Sequence, residues 1–175
     1  MRVLQGYDPN EPQTRSRSAP VKSGVSIKSG NVIVLEYNSS TAVWEWTLAD
    51  RATSAHLKQV PHFALQDDTD AEVTAAGLLT GLSCSGQFEI QTGYFVTPTS
   101  GEPLTNGAAL TFGTSSNVGK IEAVLRGDGP TTPIIGFISG AHNAGAIDLT
   151  GQCSEATSNT MVQFTTSYDP RNAAS

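Results

Sequence analysis

Alternation of apolar residues across residues 86–139 constrains this chain most. In residues 87–96, Phe88, Ile90, Tyr94 and Val96 fall on one face of an extended strand, and that face is expected to be buried. Asn106-Gly107 then precedes Leu110 and Phe112, which again share a face, and Asn-Gly favours the positive backbone angles of a tight hairpin turn. A polar Ser/Asn/Gly segment leads to a further run at residues 119–125. A Gly/Pro-rich turn follows, and then residues 134–138, Ile-Ile-Gly-Phe-Ile, read as a strand covered on both faces. No gap between these runs holds the dozen or more residues that a parallel crossover requires. The expectation is therefore an all-β chain, a single antiparallel β-barrel or sandwich domain with an extended N-terminal arm.

Length and composition agree with that class. A chain of 175 residues can bury one sizeable core, and 17 Gly with 9 Pro at only 15% charged residues suit turn-rich β-structure better than helices. The net charge of −6 opposes binding to nucleic acid or to an anionic membrane, both of which attract a positive field. That charge is unevenly placed. Residues 1–28 hold Arg2, Arg15, Arg17, Lys22 and Lys28 against Asp8 and Glu11, which is +3 and leaves −9 for the remainder. Such an arm and body attract each other, or each other's copies. The start of the chain lacks the apolar run of a secretory signal and no stretch has the length of a membrane span, so synthesis in a cytoplasm is expected.

Three regions divide the chain: an extended basic arm over residues 1–23, a β-barrel or sandwich body over residues 24–168, and a polar tail over residues 169–175. Pro9, Pro12 and Pro20 stand among polar residues that cannot bury a core alone, so the first segment is either a functional arm or a frayed terminus. In the body, residues 32–37 and 43–48 flank the polar turn 38–41 and form a β-hairpin. Trp44, Trp46 and Leu48 share one face of it. A core-facing tryptophan pair is the first reading, and a sugar-stacking platform or interface anchor the second. Residues 60–65 read as a strand begun by a proline. Residues 72–84 read as a strand bent at its glycines, with a short helix over residues 71–76 as the alternative. Residues 140–158 form a long loop holding a short strand at 146–149, and residues 161–166 are a last strand with Val162 and Phe164 on one face.

Chemistry-bearing patterns are sparse. Asp67, Asp68, Asp70 and Glu72 lack the twelve-residue calcium loop with its central glycine, so a solvated turn is expected. His56, His62 and His142 have no zinc-ligand spacing, and surface or locally hydrogen-bonded histidines are the better reading. Gly81-Leu82-Ser83-Cys84-Ser85 fails the nucleophile-elbow pattern at its fifth residue. Arg126-Gly127-Asp128 sits in a turn composition that explains its glycine. Cys84 and Cys153 lie 69 residues apart, either as two small buried residues or as one disulfide. No catalytic residue, metal ligand or cofactor is assigned, and a non-enzymatic binding or building role is expected.

The order of motifs adds a resemblance. Gly30-Asn31-Val32-Ile33-Val34 stands before the hairpin with Trp44, followed by Phe63-Ala64-Leu65-Gln66-Asp67-Asp68 and by residues 77–92, which run from Gly77-Leu78-Leu79-Thr80-Gly81 through Phe88-Glu89-Ile90. The series continues through Leu104-Thr105-Asn106-Gly107, Gly119-Lys120-Ile121, residues 134–138 and Val162-Gln163-Phe164. Over most of residues 24–166 this resembles the cement, or head-decoration, proteins of tailed bacteriophages. The resemblance implies a compact β-domain that binds the major capsid protein on the outside of an expanded icosahedral shell, often as a trimer. It also implies synthesis in a host bacterial cytoplasm, and no nucleic-acid or membrane partner. Arg2, Tyr7, Arg15, Arg17 and Lys22 are the candidate capsid or inter-subunit contacts, and deletion of residues 1–20 is expected to leave the body folded. The alternative is a carbohydrate- or receptor-binding module of a virion fibre or cell surface, with Trp44 and Trp46 as its platform.

Overall fold

The computed structural model describes residues 2–5, 16–85, 88–96, 107–124, 132–141 and 162–169. In chain order the elements are β1 (Arg2–Gln5), β2 (Ser16–Ala19), β3 (Val32–Asn38), β4 (Val43–Leu48), α1 (Ser54–Leu57), β5 (His62–Ala64), α2 (Ala71–Ala76), β6 (Leu79–Ser83), β7 (Glu89–Thr92), β8 (Ala109–Phe112), β9 (Ile121–Ala123), β10 (Ile134–Ala141) and β11 (Val162–Asp169). They build two antiparallel sheets, one of order β1-β7-β11-β10-β8-β9 and one of order β2-β6-β5-β3-β4. The chain is all-β, with two short α-helices and one 3-10 turn at Ser115–Asn117 among the described residues.

Each sheet curls until one segment serves both of its sides. Beyond β2 the chain passes Pro20, and Val21 bridges Trp46 of β4 in parallel. The Trp46 N–H donates to the Pro20 carbonyl at 2.7 Å and the Lys22 N–H to the Trp46 carbonyl at 2.9 Å. The segment that pairs with β6 on one side thus pairs with β4 on the other. The larger sheet repeats the device. β7 bends at Gly93, Phe95 bridges Ile121 of β9, and the Val96 N–H reaches the Ile121 carbonyl at 2.7 Å. Rolling in this way satisfies edge amides that would otherwise be open to pairing with another chain.

Two clusters fill the structure. Val32, Val34, Phe63 and Cys84 from the five-stranded sheet meet Ile90, Leu110, Phe112, Ile121 and Ile138 from the six-stranded sheet. The opposite face of the five-stranded sheet carries Ile33, Leu35, Trp46, Ala64 and Leu79, closed over by Ala19, Ile27 and Val73 of α2. Trp46 is wholly buried there, donates its indole N–H to the Leu79 carbonyl at 2.8 Å and lies against His62 with ring centroids 5.0 Å apart. Gly81 leaves room for it: a Cβ at that position would come within 3.1 Å of Trp46, Ile33 and His62.

Several expectations change. The hairpin forms as read, with Leu35 opposite Trp46 and Tyr37 opposite Trp44, but only Trp46 is a core residue. Trp44 is 47% exposed, because β3 and β4 run on past the packed layer. Phe95, not Tyr94 or Val96, is in the core, because the bend at Gly93 ends the strand and inverts the alternation after it. Phe137 is 40% exposed, so β10 is covered on both faces at Ile134–Gly136 and loses the cover on one face at Phe137. Gly107 takes a positive φ of 86°, and β8, which follows it, pairs with β9 and β10; Asn106 and the residues before it lie outside the described residues. Residues 71–76 are the helix alternative, stopped by Gly77 at φ 66°. The described parts of residues 1–23 are extended, as expected, but they are strands of the body: β1 pairs with β7, and β2 with β6 while burying Ala19. Removal of residues 1–20 therefore takes β2 out of the rolled sheet instead of sparing the body. Of the loop expected at 140–158 and the tail expected at 169–175, Gly140 and Ala141 are instead strand residues of β10 and Asp169 ends β11, while the rest lie outside the described residues.

Candidate interaction surface

The residues expected to make contacts do not gather into one patch. Arg2 lies in β1 opposite Gln91, at the margin of the six-stranded sheet. Arg17 lies in β2 opposite Gly81, exposed, and makes no ion pair among the described residues. Lys22 is exposed and pairs with Glu36 of β3, so its charge is already answered within the chain. Tyr7 and Arg15 lie outside the described residues, as do Cys153, His142 and Arg126-Gly127-Asp128.

The surface that sequence reasoning misjudged is the tip of the β3–β4 hairpin. Tyr37 is 51% exposed, Trp44 47% and Val43 40%. The Tyr37 and Trp44 rings face each other across the strands, 5.4 Å between centroids and tilted by 55°. Val43 stands next to Trp44 along the strand and so points to the opposite face. Residues 37–44 contain no charge, and the flanking charges are engaged locally: Glu36 by Lys22, and the Glu45 carboxylate by the Asn38 amide at 3.1 and 3.2 Å. The turn itself is set by the Asn38 side chain, which accepts the Ser40 N–H at 3.0 Å, and by Ala42 at φ 56°. Exposed Tyr and Trp on an uncharged projection are the composition of interface anchors. The available signal was the absence of charge over eight residues at a hairpin turn.

The acidic turn is structural. Asp68 accepts the Ile27 N–H at 3.0 Å, Asp67 accepts the Ser29 N–H at 2.7 Å and pairs with Lys28 at 3.4 Å, and Asp70 accepts the Asp67 N–H at 3.0 Å. These carboxylates tie the loop before β3 to the loop after β5, where a solvated turn was expected. Among the described residues no three His, Cys, Asp or Glu side chains converge as metal ligands.

Of the two alternatives for the histidines, surface or locally hydrogen-bonded, His56 and His62 take the second. His56 is buried, with Nδ1 accepting the Asp50 N–H at 3.0 Å, and its burial holds the imidazole below its usual pKa. His62 donates Nδ1–H to the Val60 carbonyl at 3.0 Å, and burial, with a smaller push from Arg17, lowers it to about 4. Cys84 is a buried free thiol whose burial raises its pKa, the reverse of a nucleophile. Ser83 and Ser85 hydroxyls bond each other at 2.9 Å, with no base attached to them among the described residues. No helix among the described residues is long and apolar enough to cross a membrane. No protein-family model and no curated protein matches the chain.

Proposed function

We propose that this chain is a non-enzymatic structural protein that binds the outer surface of an icosahedral phage shell and stabilises its expanded form. The observation that carries the reading is the hairpin tip, where Tyr37, Val43 and Trp44 stand exposed on an uncharged projection from an otherwise acidic body. The order of motifs over residues 24–166 supplies the partner by resemblance, the major capsid protein, with self-association as a trimer on the virion exterior. A projection with the Tyr37–Trp44 pair on one face and Val43 beside the Asn38–Glu45 bond on the other suits insertion between protein surfaces, where it is covered on each side. Arg17, exposed and without an ion pair among the described residues, is a cation able to pair with an acidic group of the shell or of a neighbouring copy. A clamp that binds only the expanded lattice stabilises that lattice by mass action, and many copies multiply the effect.

The test is co-sedimentation of the purified chain with expanded undecorated shells and with unexpanded procapsids. Saturable binding to expanded shells alone, weakened at least about tenfold in Trp44→Ala, is expected. Absence of binding to either shell sinks the reading. Arg17→Ala replaces the deletion of residues 1–20 as the probe of the arm, since it leaves β2 in place.

The second reading, a carbohydrate-binding module, is favoured by the exposed face of Trp44 and loses Trp46, which is enclosed. Glycan-array binding that vanishes in Trp44→Ala, with no shell binding, would establish it.

A further inference from the structure

The connection between β4 and β5 carries bonds from the five-stranded sheet to the six-stranded one. Gly119 N–H donates to the Ala49 carbonyl at 2.9 Å and Arg51 N–H to the Gly113 carbonyl at 3.1 Å. The Arg51 guanidinium pairs with Glu122 of β9 at 3.1 Å, and the Tyr168 hydroxyl donates to the Gln59 carbonyl at 3.0 Å. In the middle of this strap sits His56 on α1, 5% exposed.

The bonding of His56 fits only a neutral ring. Its Nδ1 accepts the Asp50 N–H at 3.0 Å, so the ring proton resides on Nε2. Nε2 is buried and meets no hydrogen-bond partner among the described residues. A second proton would have to enter at Nδ1, where it would turn an acceptor into a donor facing another donor, and it would leave a buried cation with Nε2–H still unanswered. The charged groups that face the ring are Glu36 from β3 and Asp50 from the strap, which favour the cation, and Lys22 from the segment after β2, which opposes it. Lys22 and Glu36 pair with each other, which blunts both. Burial prevails over these charges.

We propose that His56 is an acid-sensitive latch, whose protonation frees residues 49–59 from the six-stranded sheet while the ladders within each sheet persist. The Asp50 N–H bond is lost first. The turn that positions Arg51 then loosens, and with it the bonds to Gly113 and Glu122. Asp50 also braces the turn, its side-chain oxygen accepting the Ala52 N–H at 2.9 Å.

The experiment is hydrogen exchange by mass spectrometry on the full chain at about pH 7.5 and about pH 4.5, corrected for intrinsic exchange. In the wild type, peptides covering residues 49–60 and 113–122 are expected to lose about tenfold or more of their protection at the acid pH beyond any loss shared with peptides from β3 and β6, since each pH unit changes the ratio of protonated to neutral ring tenfold. His56→Asn offers a side-chain oxygen near the place of Nδ1 and does not titrate; it should keep the strap protected at both pH values. His62→Asn should leave the acid loss in place. Flat protection in the wild type, or an equal acid loss in His56→Asn, overturns the proposal. Should His56→Asn fold poorly, the wild type still decides: the His56 ring titration followed by NMR must share its midpoint with the loss of strap protection, and separate midpoints refute the latch.

Discussion

Replacing each tryptophan of β4 by alanine separates the two that lie two residues apart. Trp46 is wholly enclosed, and a buried aromatic removes on the order of 200 Å² from water. At about 25 cal/mol per Å² that is about 5 kcal/mol, or about 3–4 kcal/mol once residual burial in the denatured chain is allowed for. Loss of the indole bond to the Leu79 carbonyl adds about 1 kcal/mol, since that carbonyl stays buried. Collapse of the surrounding Ile33, Leu35 and Leu79 offsets a part, and the expected cost of Trp46→Ala is about 4 kcal/mol, within the range for large-to-small core changes. Trp44→Ala removes a half-exposed ring whose neighbour is Tyr37, and the expected cost is below about 1 kcal/mol. Urea unfolding followed by far-ultraviolet circular dichroism measures both without relying on the deleted fluorophores. A Trp46→Ala cost under about 1.5 kcal/mol, or costs for the two variants within error of each other, would refute the placement of Trp46 in a closed interior.

Gly119→Ala is expected to cost about 2 kcal/mol in the same assay: φ there is 76°, and the new Cβ would lie 2.6 Å from the Leu48 side chain. Stability should fall as the pH drops from about 6.5 towards 4. The reason is that His62 is held neutral in the fold down to about 4, while the unfolded chain takes up its proton near 6.5 and so binds more protons between those values. The loss is about 2 kcal/mol after allowance for solvent near the ring, and the urea midpoint of His62→Gln should be flatter over that range than the wild type's. Cys84, buried and with a raised pKa, should escape alkylation in the native protein and react on unfolding, as followed by mass spectrometry of its peptide.

Local chemistry in the sequence carried the β class, the β3–β4 hairpin and the turn glycines. Alternation of period two, punctuated by Gly, Asn and Pro, has few physical outcomes other than antiparallel strands. The same residues left the helix at Ala71–Ala76 open, because six residues are too few for periodicity to distinguish helix from strand. The candidate surface was only partly legible. The arm was read as extended, but whether an extended segment hangs free or joins a sheet depends on an unpaired edge elsewhere, and β6 and β7 supply it.

What the sequence by itself determined is which residues share a face; what only the tertiary structure decided is how deep each face lies. Trp44 and Trp46 have the same alternation and nearly the same neighbours, and one is buried because the layer over it ends between them. Closure of the sheets rests on Val21 against Trp46 and Phe95 against Ile121, pairings 25 and 26 residues apart that carry no turn signal. The burial of His56 and the bonding of Asp67 and Asp68 belong to the same class. The Asp67 and Asp68 bonds depend on backbone amides brought up from the loop before β3, and the His56 ring is enclosed by packing; both are settled by proximity in space, which local pattern does not encode.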